Sequence, residues 1–193
     1  IYAEASVHDE LVERMVALTQ DYVLGDPLDE ATTLGPMVRA QAADMVRQQI
    51  SDAVAQGAKP HLEESTFAAS QSGTPYLAPQ ILTQVTHAME VMRAESFGPV
   101  VGIMAVENDA EAIAKMNDSV FGLTASVWTQ DTQAAKAIGA KLRTGTFFMN
   151  RCDYLDPGLA WTGIGDTGRG ASLSQIGYEQ LTRPMSFHLK TGT

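Results

Sequence analysis

The sequence predicts an α/β fold in three layers: a mostly parallel sheet with helices on both faces. Two observations predict it. Between Val100 and Asn150, strand-like and helix-like stretches follow one another in the order β-α-β-α-β with short connections. Parallel strands crossed by covering helices are the economical way to fold such an alternation. Before that region, two longer stretches repeat apolar residues at helical spacing and supply further covering helices.

Taken in order, Ile1 to Ala5 reads as a short strand. From Val7, Leu11, Met15, Leu18 and Tyr22 recur at helical spacing, with Ser6 placed to cap the helix and Gly25 to end it. "LGP" at Leu34 to Pro36 opens a second helix, with Val38, Ala42, Met45, Ala53 and Val54 on its apolar side and Gly57 as its stop. Ala58 to Leu62 is a short strand. Ser65 to Pro79 is rich in Ser, Gly and Pro and reads as a loop. Ile81 to Thr86 alternates weakly as a strand.

Val100 to Val106 is an apolar strand, Asp109 to Met116 a helix, Ala125 to Thr129 a strand, Thr132 to Leu142 an Ala-rich helix and Thr146 to Asn150 a strand. The Gly-rich stretch from Arg151 to Gly170 begins at a strand's carboxyl end, where open α/β sheets bind ligands. A last helix, Leu173 to Leu181, leads through Pro184 to Met185–Lys190. There Met185, Phe187 and Leu189 alternate with polar residues as in a strand.

The 193 residues suit one domain with an appended arm, and 45% are hydrophobic, enough for a sizeable core. With 13 basic and 23 acidic residues the formal net charge is −10. That balance argues against nucleic acid or an anionic membrane as the main partner. No apolar run approaches the roughly 20 residues of a membrane helix. The start, "IYAEASVHDE", lacks an initiator methionine and a signal-peptide core, so a processed or truncated start is expected. One cysteine, Cys152, excludes an intrachain disulfide and fits a reducing cytosol.

Few residues declare chemistry by themselves. Cys152 follows a strand and stands beside Asp153, which would raise its pKa, so it makes a poor nucleophile. His8, His61, His87 and His188 show no metal spacing, and His61 with Glu63 and Glu64 reads as a solvated edge. "GIGDTGRG" (Gly163 to Gly170) neither follows a strand nor opens a helix as a dinucleotide fingerprint does, and reads as a tight structural loop. Glu95 and Phe97, in "ESFGPV" at the mouth of an apolar strand, divide evenly between a loop acid with a core plug and a site. Trp161, in a Gly-rich loop, either plugs the core or lines a pocket.

Longer motifs carry a resemblance. "LGDPLDEATTLGPM" (Leu24 to Met37), "ESFGPV" (Glu95 to Val100), "NDSVFGLTASVWTQD" (Asn117 to Asp131), "TGTFFMN" (Thr144 to Asn150) and the Gly163 to Gly170 loop occur in the order and spacing of one family. The chain resembles the C-terminal half of an NAD(P)-dependent aldehyde dehydrogenase. The resemblance implies an enzyme that oxidises an aldehyde to a carboxylic acid through a cysteine thioester, with NAD or NADP as cofactor. It implies that Glu95 accepts hydrogen bonds from the nicotinamide ribose, that Phe97 packs near the nicotinamide, and that Leu155 and Trp161 line the substrate pocket. It places the nucleophile, the general base and the cofactor domain upstream of residue 1, so Cys152 is not the nucleophile and the isolated chain is expected to be inactive.

Residues 1–183 then form a catalytic-domain segment and 184–193 an oligomerisation strand of a cytoplasmic homodimer or homotetramer. Ala42 and Met45 stand where the family often has Gln and Lys near the adenosine, leaving NAD and NADP both open. Ala171-Ser172-Leu173-Ser174 replaces a frequent Arg-Glu-Leu-Gly, and Trp161-Thr162 a common Phe-Gly. A stand-alone binding or assembly domain, and an acyl-phosphate reductase of the same superfamily, are the rival readings.

Overall fold

A computed structural model describes residues 1–152 and 154–192. Asp153, invoked above for the Cys152 thiol, and Thr193, the last residue of the expected terminal strand, lie outside the described residues. The chain is a mixed α/β fold that divides into two compact units, Ile1–Asn108 and Asp109–Thr193.

In the first unit, β1 (Tyr2–Glu4) runs straight into α1 (Ala5–Gln20). After a long connection come α2 (Ala40–Ala55), β2 (Lys59–Pro60), β3 (Gln80–Thr83), β4 (Val100–Gly102) and β5 (Met104–Val106). Strand β3 pairs antiparallel with β2 and parallel with β4, and β1 pairs parallel with β5. The predicted strand Val100 to Val106 is thus two short strands on either side of Ile103, which is fully buried.

Successive strand residues point to opposite faces, and β3 uses both. Ile81 clusters with Val12 of α1, Leu62 and Ile103, while Leu82 clusters with Ala53 of α2, Ala58, Val85 and Met89. Fully burying such a side chain contributes roughly 1.5–3 kcal/mol, so each helix is held by its own face of β3.

Both helices start and turn differently from the reading above. Glu4, not Ser6, occupies the N-cap of α1 and makes no capping side-chain bond. Because Glu4 pairs with Val106, strand pairing sets the helix start. α1 ends at Gln20, ahead of Gly25, whose amide donates instead to the carbonyl of Leu34. α1 buries Val12 and leaves Leu18 exposed, and α2 buries Ala43, Val46, Gln49 and Ala53 and leaves Met45 and Val54 exposed; Tyr22 and Val38, expected on the two helices, lie outside them and are exposed.

The second unit holds α3 (Asp109–Asn117), β6 (Phe121–Gly122), β7 (Thr124–Val127), α4 (Thr132–Gly139) and β8 (Thr146–Met149). They are followed by β9 (Trp161–Thr162), β10 (Ile164–Gly165), β11 (Ala171–Ser172) and α5 (Ser174–Gln180). β7 and β8 are parallel neighbours joined through α4, as the alternation predicts. Asp131 caps α4, accepting from the amides of Gln133 and Ala134.

The Gly-rich stretch is more ordered than a loop: β10 pairs with β6 and β9 with β11. At Gly165, with φ +58°, an added Cβ would sit 2.2 Å from the carbonyl oxygen of Val120, so only glycine allows that pairing. Met185–Lys190 forms no strand within this chain, and Met185, Phe187 and Leu189 are exposed. A strand needs a neighbouring strand to bond to, and the segment has none among the described residues.

Candidate functional site

The strap Glu95–Pro99 leads into β4 and is fixed from beneath by α2. Gln49 is 7% exposed, and its Oε1 accepts from the Ser96 hydroxyl at 2.6 Å. A buried amide needs such a partner. Gly98 lies against the same helix: a Cβ there would come within 3.0 Å of Val46 Cγ2 and 3.2 Å of Met37 Cε. On the far side, the carbonyl of Pro99 accepts from the Gln80 amide at 2.8 Å, tying the strap to the start of β3.

With Ser96 and Gly98 anchored inward, the residues beside them are turned outward. Glu95 is exposed. Phe97 is 85% exposed and sits at φ +46°. A phenylalanine in the left-handed region is an outlier that costs about 1–3 kcal/mol and persists only where its surroundings impose it. Phe97 is therefore no core plug. An acid and an apolar ring are both presented to solvent on a rigid support.

The second unit carries the other predicted pair on the loop after β8. Asn150, at φ +55°, closes the strand ends: its Oδ1 accepts from the Thr129 amide at 2.9 Å and its Nδ2 donates to the Thr129 carbonyl at 2.8 Å. The Ser126 hydroxyl donates to the carbonyl of Arg151. Beyond, a cavity of about 130 Å³ is lined by Arg151, Tyr154, Asp156, Leu159 and Trp161 over the buried Phe148. Arg151 stacks on Tyr154, its Cζ 3.7 Å from the ring centroid. Leu155 is 55% exposed and lies outside that lining; Cys152 is exposed. Glu95 and Phe97 thus share one strap, and Trp161 shares a cavity with Arg151 and Tyr154, which the sequence reading passed over. Gln49 was missed too, although a glutamine on a helix face between apolar positions is a recognisable signal.

Elsewhere, His61 pairs with the Thr83 hydroxyl at 2.8 Å at the edge of a cavity of about 680 Å³. Partial burial, with smaller contributions from Lys59 and His8, holds its pKa below the usual imidazole range. Among the described residues no three His, Cys, Asp or Glu side chains gather to hold a metal, and no helix is long and apolar enough to cross a membrane.

The model of one family, "Aldehyde dehydrogenase family", matches residues 1–187. The chain belongs to the aldehyde dehydrogenase family. Among curated relatives, 3-sulfolactaldehyde dehydrogenase of Priestia megaterium is 33% identical over 94% of this chain and 37% of its own length. Succinate semialdehyde dehydrogenase [NAD(P)+] of Escherichia coli is 34% identical over 92% of this chain and 38% of its own. Among solved structures, succinic semialdehyde dehydrogenase from Streptococcus pyogenes in complex with NADP+ superposes with a TM-score of 0.87 at 29% identity. The match covers 98% of this chain and 41% of the other. Betaine aldehyde dehydrogenase from Staphylococcus aureus in complex with NAD+ gives 0.84 at 25% identity, over 93% and 36%. This chain therefore spans about two fifths of the length of the proteins it matches.

Proposed function

We propose that this chain is the C-terminal portion of an NAD(P)-dependent aldehyde dehydrogenase that converts an aldehyde into a carboxylic acid. The nucleophilic cysteine and the general base belong to the portion preceding Ile1, and Cys152 serves neither role. The observation that carries this reading is the outward-facing strap. An exposed carboxylate at Glu95 and an exposed ring at Phe97 are two residues apart, on a backbone pinned by Gln49 and Val46.

That arrangement fits the nicotinamide half of the cofactor. A carboxylate can accept from two adjacent ribose hydroxyls. An apolar ring held in one place limits where a planar heterocycle can lie, which favours reaction by positioning. When bound, the nicotinamide supplies the hydride acceptor. Trp161, and Leu155 outside the small cavity, are the residues proposed to meet the aldehyde.

The named substrates of the relatives differ in charge: sulfolactaldehyde and succinate semialdehyde are anionic, betaine aldehyde cationic. They leave the aldehyde open, as they leave NAD and NADP open. We assign the three-layer sheet and the pairing of Met185–Lys190 to the assembled full-length protein, a cytoplasmic homodimer or homotetramer.

The test is Glu95→Gln in the full-length protein, with NAD(P)H formation and cofactor affinity as readouts. Loss of one charge-assisted acceptor is expected to cost about 1–3 kcal/mol, roughly tenfold to a hundredfold in turnover. Unchanged turnover with unchanged affinity removes Glu95 from the site.

A further inference from the structure

The cavity after β8 has a chemical sense that the fold alone does not give. Its walls are mostly apolar, with Phe148, Leu159 and Trp161 among them. One guanidinium, that of Arg151, lies over the Tyr154 ring, its Cζ 3.7 Å from the centroid. A cation–π contact of this kind covers one face of the ring and uses none of the N–H donors of the guanidinium. Among the described residues those donors meet no hydrogen-bond or ion-pair partner. A planar N–H fork of this kind matches a carboxylate or another oxyanion in two-point contact.

The same contact works against a cation. A quaternary ammonium would use the face of an aromatic ring; one face of Tyr154 is covered by the chain's own positive charge, and a cation on Trp161 would share the cavity with that charge. A second cation placed there meets repulsion at short range. Among the described residues the one opposing charge on the cavity wall is Asp156, whose Oδ1 accepts from the Gly158 amide at 2.8 Å and so holds the turn that follows. At about 130 Å³ the cavity has room for a small terminal group and not for a long chain.

We propose that Arg151 is a specificity-determining residue that selects aldehydes carrying an anionic group at the end remote from the carbonyl, such as a carboxylate, over cationic ones. The inference rests on the reading of Trp161 as part of the substrate pocket. Arg151 supplies the N–H fork, Tyr154 lies against the fork, Trp161 and Leu159 cover the apolar middle of the substrate, and Asp156 tempers the attraction.

The experiment compares kcat/KM in the full-length enzyme for three aldehydes of equal chain length, ending in a carboxylate, a methyl group and a trimethylammonium group. The carboxylate substrate is expected to exceed the trimethylammonium one. Arg151→Gln is expected to lower the carboxylate-to-methyl ratio about tenfold or more. Asp156→Asn, which retains the oxygen that accepts from Gly158, is expected to raise it.

Calorimetric titration with glutarate and with tetramethylammonium gives a readout independent of turnover: glutarate binds the wild type more tightly than Arg151→Gln, and tetramethylammonium does not. An enzyme active on these aldehydes, with a ratio and a glutarate affinity indifferent to Arg151→Gln, overturns this inference and leaves the proposed function standing. Inactivity on every aldehyde tried overturns the proposed function, and this inference with it.

Discussion

The strap at Glu95–Pro99 and the stretch from Tyr154 to Leu173 carry the residues proposed for cofactor and substrate, but they are supported in different ways. The strap rests on fully buried Val46 and on Gln49, and alternate residues are tied inward. Its neighbours cannot shift without opening the core. The stretch is held by its own turns: Asp156 to Gly158, the Thr162 hydroxyl to the carbonyl of Gly170 at 2.7 Å, and the Ser174 amide to the carbonyl of Pro157 at 2.9 Å. Leu155 and Leu159 are largely exposed. A support of the first kind suits a partner that never changes, such as a cofactor. The second kind tolerates substitution, which suits a pocket that must differ from one substrate to another.

The sharpest way to break that contrast is to cut beneath each region. Val46→Ala removes two methyl groups from a fully buried site and is expected to cost about 2–3 kcal/mol in urea unfolding. Leu155→Ala is expected to cost under about 0.5 kcal/mol. Equal losses at the two positions would mean that the stretch is as deeply anchored as the strap.

Next in size is Trp161→Ala in the full-length enzyme. A large ring lost from a pocket is expected to shift the preference among aldehyde chain lengths by roughly tenfold, with cofactor affinity little changed. Flat specificity ratios would make Trp161 a packing residue.

A smaller effect of opposite sign is expected at Phe97. Phe97→Gly relieves a left-handed phenylalanine and is expected to stabilise the fold by about 0.5–1 kcal/mol while weakening cofactor binding in the full-length protein. Destabilisation would show that the exposed ring contributes packing after all.

The smallest effect concerns His61, which lies outside both regions. Its folded-state pKa is depressed, so the unfolded chain binds the proton more readily. Stability is then full above the ordinary imidazole value of about 6.5 and declines as pH falls from there through the folded pKa. Melting temperature measured from pH 7.5 to 5 should fall less steeply for His61→Gln than for the wild type. Identical slopes assign the acid sensitivity to other groups.

Local pattern alone determined several features. The parallel pair β7 and β8 with α4 between them follows from apolar alternation, an aspartate cap and short connections, all of which act within a few residues. The order and spacing of the longer motifs carried the family. Which face of each helix turns inward did not follow. Successive residues are about 100° apart around a helix, so Met45 and Val46 offer different faces with almost equal claims. Packing against Leu77 and Val100 of β4 chose Val46.

The exposure of Phe97 was equally illegible, because an apolar ring beside a core strand reads as a plug. Only the anchoring of Ser96 and Gly98 on a helix some fifty residues earlier in the chain turns it outward. Arg151 and Tyr154 are three positions apart and neither belongs to a helix or strand, so their spacing carries no direction. Their stacking depends on the path the loop takes after Asn150 ties β8 to Thr129. Short-range patterns specify which elements form. The direction a side chain faces is decided where distant elements compete for the same buried space.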